Sequence, residues 1–198
     1  MLDICQTGHP VLRRAARPLT RDEILAPECQ QLIVQMQATM RAAPGVGLAA
    51  PQIGLSLQLA VIEDRPEYVA KWPQERAQQL QRVPVPFYAL INPELELLES
   101  EDTDLFFEGC LSVAGFAALV PRARRVRLRY LDAQAAPCEL VATGWHARII
   151  QHEVDHLRGR LYLDRMLIRS FTGQAQLGEF WADQPIESVC RELGIHLA

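Results

Sequence analysis

Two histidines separated by three residues, with a glutamate directly after the first, stand in the segment QHEVDH at residues 151–156. On a helix, His152 and His156 lie one turn apart on the same face, so both imidazoles can bind one metal ion. Glu153 is rotated by about 100° from His152, which places its carboxylate beside the ion, where it can take a proton from a water molecule. The pattern predicts a metal site on a helix.

A catalytic ion needs a third protein ligand and an open position for water. The segment FEGCLSVAGF contains one candidate, Cys110, where a glycine permits close backbone approach and small residues follow. Sulfur donates strongly and weakens the Lewis acidity of an ion, so such a site would depend more on a nearby base and on oxyanion donors. The other candidates are His146, whose offset from His152 fits the same ion poorly, and His9, His196 and the carboxylates.

A glycine-rich segment, GVGLAAPQIG, occupies residues 45–54. It has neither the Lys-Ser/Thr end of a phosphate-binding loop nor the GxGxxG spacing of a dinucleotide turn. Two interpretations remain open. The segment is either a tight turn with Ala49 and Ala50 closely packed, or a functional loop in which the amide of Gln52 donates to a reacting carbonyl.

Hydrophobic periodicity predicts the elements that must position these residues. A capping box at Thr20–Glu23 begins a helical region with an apolar stripe, which ends at Pro44. A further strand is expected to stop at Pro93. Strands and helices do not alternate regularly, so the fold class is expected to be α+β. The other strands are expected at 58–64, 126–131, 138–143 and RLYLDRM (160–166), and the later helices at 147–157 and after Pro185.

Length and composition indicate one domain over residues 1–198, with a polar surface excursion at 65–86 and a C-terminal tail at 174–198 that carries a short helix. A net charge of -4 argues against a dedicated nucleic-acid binder. The sequence has neither an apolar run long enough for a bilayer nor the apolar core of a signal peptide. The five cysteines are interpreted as reduced thiols, with metal binding possible for one of them.

Three segments, GVGLAAPQ, EGCLS and QHEVDH, resemble in order and spacing the signature motifs of the peptide deformylases, and the likeness extends from about Gly8 to Thr172. The resemblance implies antiparallel sheets packed around the metal-binding helix. It implies removal of the formyl group from the formyl-methionine of nascent polypeptides, with release of formate. It also implies one divalent ion held by Cys110, His152 and His156, which is Fe²⁺ in the cell and Zn²⁺ or Ni²⁺ in many purified samples.

The same resemblance implies a role for further residues. Glu153 would be the general base and acid, and Gln52 and the backbone N–H of Leu111 would be the oxyanion donors. Gly47 and Gly109 would offer backbone hydrogen bonds to a peptide that lies as an added strand. The family's pocket positions and the face of the helix together make three residues candidates for the methionine pocket: Val46, Trp145 and Ile149.

The segments SVAGF, GWHARIIQHE and RSFTG resemble the mitochondrial-type branch of the family. Ala114 and Ala117 replace the proline and arginine of the common bacterial pattern, so an arginine contact to the substrate backbone is not carried over. Leu111 stands where the human-type form has an acidic residue, which favours full activity. Because no transit peptide is recognised, a cytoplasmic bacterial member is expected, with a clipped organellar form as the alternative. The acidic tail does not support docking on the ribosome, and a transient contact stays open.

Two other functions compete at this stage. The HExxH pattern alone also occurs in metalloproteases, which would cut internal peptide bonds. A structural metal site in a binding module would have four protein ligands and no open position on the ion. The sequence offers three candidate ligands that are expected to converge.

Overall fold

The structure, a computed structural model, describes residues 1–196 and, within them, all side chains except those of residues 99–102. An antiparallel sheet dominates this part of the chain, with strand order β1-β2-β3-β4-β5 and β6 paired to β4. Together with the helices it confirms the α+β class. The strands are β1 Gly47–Ala49, β2 Leu59–Asp64, β3 Val85–Cys110, β4 Val113–Leu131, β5 Pro137–Thr143 and β6 Thr172–Gly173.

Two helices precede the sheet, and one of them carries the predicted apolar stripe. The capping box of Thr20 and Glu23 is formed, as predicted. Pro27 does not continue that helix but begins the next one, because its missing N–H costs nothing in a first turn. The buried face of this second helix includes Ile33, Met36 and Met40. The helices are α1 Arg21–Leu25, α2 Pro27–Ala42, α3 Pro66–Val69, α4 Gln74–Gln79, α5 Gly144–Leu157, α6 Gln174–Gln176 and α7 Ile186–Glu192.

The predicted end of a strand at Pro93 is wrong. Asn92 adopts a φ of +49°, and the pairing of β3 with β4 shifts register between Ile91 and Glu94. Asn92 anchors this bulge, since its side chain accepts from the N–H of Leu19 and donates to the same residue's carbonyl. Pro93 lies within the shift, where no ladder bond from its nitrogen is required. The strand therefore continues to Cys110 with β4 as its partner.

The predicted strand RLYLDRM is also wrong. Tyr162–Asp164 form a short 3₁₀ turn. The carboxylate of Asp164 accepts from the backbone N–H of Leu161 at 2.7 Å. This local bond satisfies a backbone donor that a strand would have paired with a neighbour, and it favours the turn.

Helix α5 packs across the sheet, and its buried side chains Ala147, Ile150 and Val154 share a core cluster with β2, β3 and β4. It begins at Gly144, earlier than predicted. A side chain at Gly144 would place its Cβ 2.4 Å from the carbonyl oxygen of Leu80, and the φ of this residue is +55°. Only glycine fits this close approach.

The polar segment 65–86 contains α3 and α4 and returns to the core through a buried ion pair. Arg82 donates to both carboxylate oxygens of Asp64, at 2.8 and 2.9 Å. The carbonyl of Leu80 accepts from the N–H of Trp145 at 2.8 Å. The segment is thus attached to the first turn of α5. Among residues 1–196, no helix has the length and apolar character needed to cross a membrane.

Candidate metal centre

Cys110, at the end of β3, converges with two residues of α5 that lie one helical turn apart, His152 and His156. The possible ligand atoms of Cys110, His152 and His156 all lie within 4.8 Å of one another. The Sγ of Cys110 lies 3.3 Å from Nε2 of His156. The structure does not place His146 or His9 in this group: Nε2 of His146 lies 3.0 Å from the hydroxyl of Tyr88, and His9 caps a short turn.

This donor set fits one divalent transition-metal ion, because a thiolate and imidazoles suit such ions better than calcium or magnesium. Nδ1 of His152 lies 3.0 Å from a carboxylate oxygen of Glu108, which leaves the other ring nitrogen for an ion. The group has three members among the described residues. It therefore resembles a catalytic site with an open position more than a closed structural site.

A buried ion-pair cluster supports His152, and sequence reasoning missed it. Arg122 donates to both oxygens of Glu108, at 2.9 Å each, and Arg148 donates to one of them at 2.7 Å. Arg122 also pairs with Asp155. Burial alone would raise the pKa of Glu108, but Arg122 and His152 hold that pKa far below its usual range. Glu108 precedes Cys110 by two residues, and strand alternation could have indicated that both side chains share one face.

Glu153 is enclosed beside the three ligands. Its Oε2 is buried and has no hydrogen-bond partner among the described residues. Burial raises the pKa of this carboxyl group to about 7. A Cβ added at Gly47 would lie 2.1 Å from Oε1 of Glu153, so the glycine leaves the space that the carboxyl group occupies.

Gln52 is held with its amide nitrogen towards the ligand cysteine. Its Oε1 accepts from the N–H of Ala49 at 2.8 Å. Its Nε2 lies 3.5 Å from Sγ of Cys110 and donates to the hydroxyl of Ser112 at 3.2 Å. Both ends of the side chain are therefore fixed, as an oriented donor requires.

The N-terminal segment makes hydrogen bonds to the residues on this side of the site. Sequence reasoning also missed these contacts. Gln6 donates to the carbonyl of Leu111 at 3.0 Å and accepts from the N–H of Ala114 at 3.3 Å. The N–H of Cys5 donates to the carbonyl of Gln52 at 2.7 Å. The two loops that carry Gln52 and Leu111 are thus joined through residues 5 and 6.

A cavity of about 330 Å³ opens over the cluster. Residues that were not predicted also line it, among them Glu108, Arg148 and Gln174. His156 is almost completely buried and is not part of the lining. The remaining predicted site residues all line it: Val46, Gly47, Gln52, Gly109, Cys110, Leu111, Trp145, Ile149, His152 and Glu153.

Trp145 joins this cavity to an aromatic wall. The rings of Trp72, Phe106 and Trp145 contact one another, with centroid distances of 5.4 to 5.7 Å. Arg82 lies over two of them, 4.6 Å from the ring centroid of Trp72 and 5.0 Å from that of Trp145. The segment 65–86 therefore contributes to the surroundings of the site.

Comparisons with known proteins identify similar sequences and a similar fold. The family model for polypeptide deformylase matches residues 1–170. Peptide deformylase 3 of Streptomyces avermitilis is 46% identical over 99% of this chain and 85% of that protein. The chloroplastic peptide deformylase 1A of Solanum lycopersicum is 42% identical over 98% of this chain and 68% of that protein. The Met-Ala-Ser-bound crystal structure of a class I type b peptide deformylase from Acinetobacter baumannii has a TM-score of 0.73 at 34% identity, and the match covers 84% of this chain and 98% of that one.

The fold and the three-ligand site define a metal-dependent hydrolase of α+β architecture. The chain belongs to the polypeptide deformylase family. It is an enzyme that removes the formyl group from the N-terminal formyl-methionine of nascent polypeptides and releases formate. The family uses a single catalytic metal ion.

Proposed function

We propose that deformylation takes place at Cys110, His152 and His156, with Glu153 as the general base and acid. The observation that carries this assignment is the buried carboxyl oxygen of Glu153, which has no hydrogen-bond partner among the described residues and lies beside the three converging ligands. A buried polar atom without a partner is rare in a folded protein. In Glu153 this oxygen is available to accept the proton of the water molecule that reacts with the substrate.

A divalent ion at this site would lower the pKa of water and polarise the formyl oxygen. Glu153 takes a proton from the water whose oxygen bonds to the formyl carbon. It then gives that proton to the peptide nitrogen as the C–N bond breaks. Formate and a free amino terminus result. A carboxyl group whose pKa is about 7 can accept and return a proton near neutral pH.

Two donors are assigned to the negative charge that develops on the formyl oxygen. Nε2 of Gln52 is one, because both ends of its side chain are held in place. The backbone N–H of Leu111 is the other, and the bond from Gln6 to the Leu111 carbonyl fixes the loop that carries it. A donor of this kind contributes on the order of 3 kcal/mol to the transition state.

The peptide is proposed to bind as a strand between β1 and the free edge of β3. β2 pairs with β3 only between residues 85 and 91, so the edge of β3 near Gly109 can accept a further strand. Gly47, at the start of β1, lines the same cavity as Gly109. The methionine side chain then enters the part of the cavity lined by Val46, Trp145 and Ile149.

Iron is the proposed ion in the cell, and zinc or nickel would fit the same donors. The cytoplasm of a bacterium stays the predicted location, while the relatives include bacterial and plastid proteins. A transient contact with the ribosome stays a prediction, as does a single domain over the whole chain.

The deciding experiment measures formate released from formyl-Met-Ala-Ser by protein purified without oxygen, together with its metal content. Glu153→Ala should keep the metal and lower kcat by at least about 10²-fold. Glu179→Ala, an exposed change in the tail, is the matched control and should leave both values unchanged. Full turnover by Glu153→Ala would refute the assignment of the base.

A further inference from the structure

The cavity over the metal site is lined by a buried arginine to which the proposed mechanism gives no role. Arg148 lies on α5, one turn before His152, and its side chain is only 5% exposed. It lines the same cavity as Val46, Trp145 and Ile149. A guanidinium group in the wall of a pocket for an apolar side chain is unusual, since charged groups are rarely buried without full pairing.

The hydrogen bonds of Arg148 leave part of its donor capacity unused. Arginine has five N–H donors. Nη1 donates to Glu108 at 2.7 Å and to the carbonyl of Val120 at 2.9 Å. Nη2 donates once, to the carbonyl of Asp104 at 2.6 Å. The Nε–H and the second Nη2–H have no acceptor among the described residues. Arg148 lines the cavity, so a ligand bound there could accept from these two groups.

We propose that Arg148 is a specificity-determining residue that donates a hydrogen bond to the end of the substrate's first side chain. The ligand class is a formylated peptide whose first side chain has the length of methionine and carries an acceptor near its end. Methionine sulfoxide is the clearest member of this class. The inference rests on the proposed function, in which the first side chain occupies this cavity.

The chemistry of three side chains of similar length shows what such a donor does. The thioether of methionine is a weak acceptor, and norleucine has no acceptor at all. Oxidation converts the thioether to a polar sulfoxide. A purely apolar pocket would leave the sulfoxide oxygen buried without a partner and would reject it strongly. A charged donor in the wall offsets that penalty, so this enzyme processes oxidised amino termini.

The test compares kcat/KM of the metal-loaded enzyme for formyl-X-Ala-Ser, where X is methionine, methionine sulfoxide or norleucine. The readout is the ratio of the sulfoxide value to the norleucine value, because both peptides use the same ion and base. We expect a ratio within about tenfold of unity for the unchanged protein. Arg148→Leu should lower this ratio by about tenfold or more, the size of a charge-assisted hydrogen bond. Arg148→Lys, which keeps a charged donor, should recover part of it.

Arg165→Leu is the matched control. Arg165 donates to Asp155 at 2.7 and 2.8 Å and so belongs to the same ion-pair cluster, but it is not part of the cavity lining. Its loss should leave the ratio unchanged even if both turnover numbers fall. A ratio below about 0.01 in the unchanged protein, or an equal ratio in Arg148→Leu, would overturn the inference.

A second measurement covers the case in which Arg148→Leu does not fold. Inhibition constants of unformylated X-Ala-Ser peptides on the unchanged enzyme should be similar for the sulfoxide and norleucine forms. Sulfoxide inhibition weaker by about 100-fold would contradict the role of Arg148. Absence of turnover with all three formylated peptides would instead refute the proposed function, and the inference with it.

Discussion

At the scale of single residues, the carboxyl group of Glu153 has room only because residue 47 is a glycine. The carboxyl group of Glu153 occupies the volume that any side chain at position 47 would fill, with Oε1 at 2.1 Å from such a Cβ. Because α5 and β1 share a packed core, neither element can move aside cheaply. The position of the base therefore depends on the absence of a side chain at position 47.

We expect Gly47→Ala to lower kcat by at least about 10²-fold, because the carboxyl group must leave its position and proton transfer is lost. Metal content should stay near that of the unchanged protein, since the three ligands are not displaced. Formate release and metal analysis measure the two effects. Gly178→Ala is the control, because a Cβ there meets no atom within 4 Å. Unchanged turnover in Gly47→Ala would show that Glu153 is not required in this position.

The convergence of Cys110, His152 and His156 could be predicted because their types, spacing and motifs are local features of the sequence. Arg148 and Gln6 could not, since their partners at positions 108 and 111 are reached only after the chain folds. From the sequence alone, an arginine within a helical pattern is expected to be exposed to solvent. The packing of α5 against β3 and β4 buries it.

At the scale of elements, the segment 65–86 supports the start of the metal-binding helix. Its carbonyl at Leu80 accepts from Trp145, and its Arg82 lies over the ring of that tryptophan. The side chains of Arg82 and Asp64 are 5% and 0% exposed, so their ion pair is shielded from water. Segment 65–86 therefore stabilises the position of Trp145 in the wall of the cavity.

Arg82→Met should lower the free energy of unfolding by about 3–5 kcal/mol, because it leaves the Asp64 carboxylate buried without its partner. We also expect KM for formyl-Met-Ala-Ser to rise, as Trp72 and Trp145 lose the guanidinium that lies over both. Urea unfolding and steady-state kinetics test these effects. Arg17→Met breaks a pair with Glu23 that is open to solvent, so it should leave the free energy of unfolding nearly unchanged. Equal costs for the two variants would contradict this stabilising role.

Elements with strong periodicity were predicted well, and those decided by distant contacts were not. The helix of the QHEVDH motif, the strands 58–64 and 138–143 and the capping box follow from local pattern, whereas the strand predicted at 126–131 is only the last part of β4, which begins at Val113. The strand through Pro93 depends on the anchoring of Asn92 by Leu19, which no local pattern reveals. The turn at Tyr162–Asp164 depends on a side-chain bond that competes with strand pairing.

At the scale of the whole molecule, the metal site joins the end of one long strand to a helix that follows two further strands. The bound ion should stabilise the folded state, since ligands that bind only the folded chain raise its free energy of unfolding. A chelator should therefore lower the melting temperature as well as abolish turnover.

If the ion is ferrous iron, as proposed, turnover should decline in air and return on substitution with nickel, which resists oxidation. Timed formate release with metal analysis follows both steps. Zinc-loaded protein is the control and should show no loss in air. Iron-loaded protein that keeps its turnover in air would contradict the expected sensitivity of the ferrous site.

The separation of Cys110 from His152 along the chain also bears on biosynthesis. Each strand from β1 to β5 pairs with the next one in the chain, so the sheet can assemble progressively as the polypeptide leaves the ribosome. Cys110 emerges before the last two strands of that series, and both histidines emerge only after them. Metal loading is thus a late step of maturation, and a translation product arrested before α5 would carry Cys110 without the two histidines that complete the site.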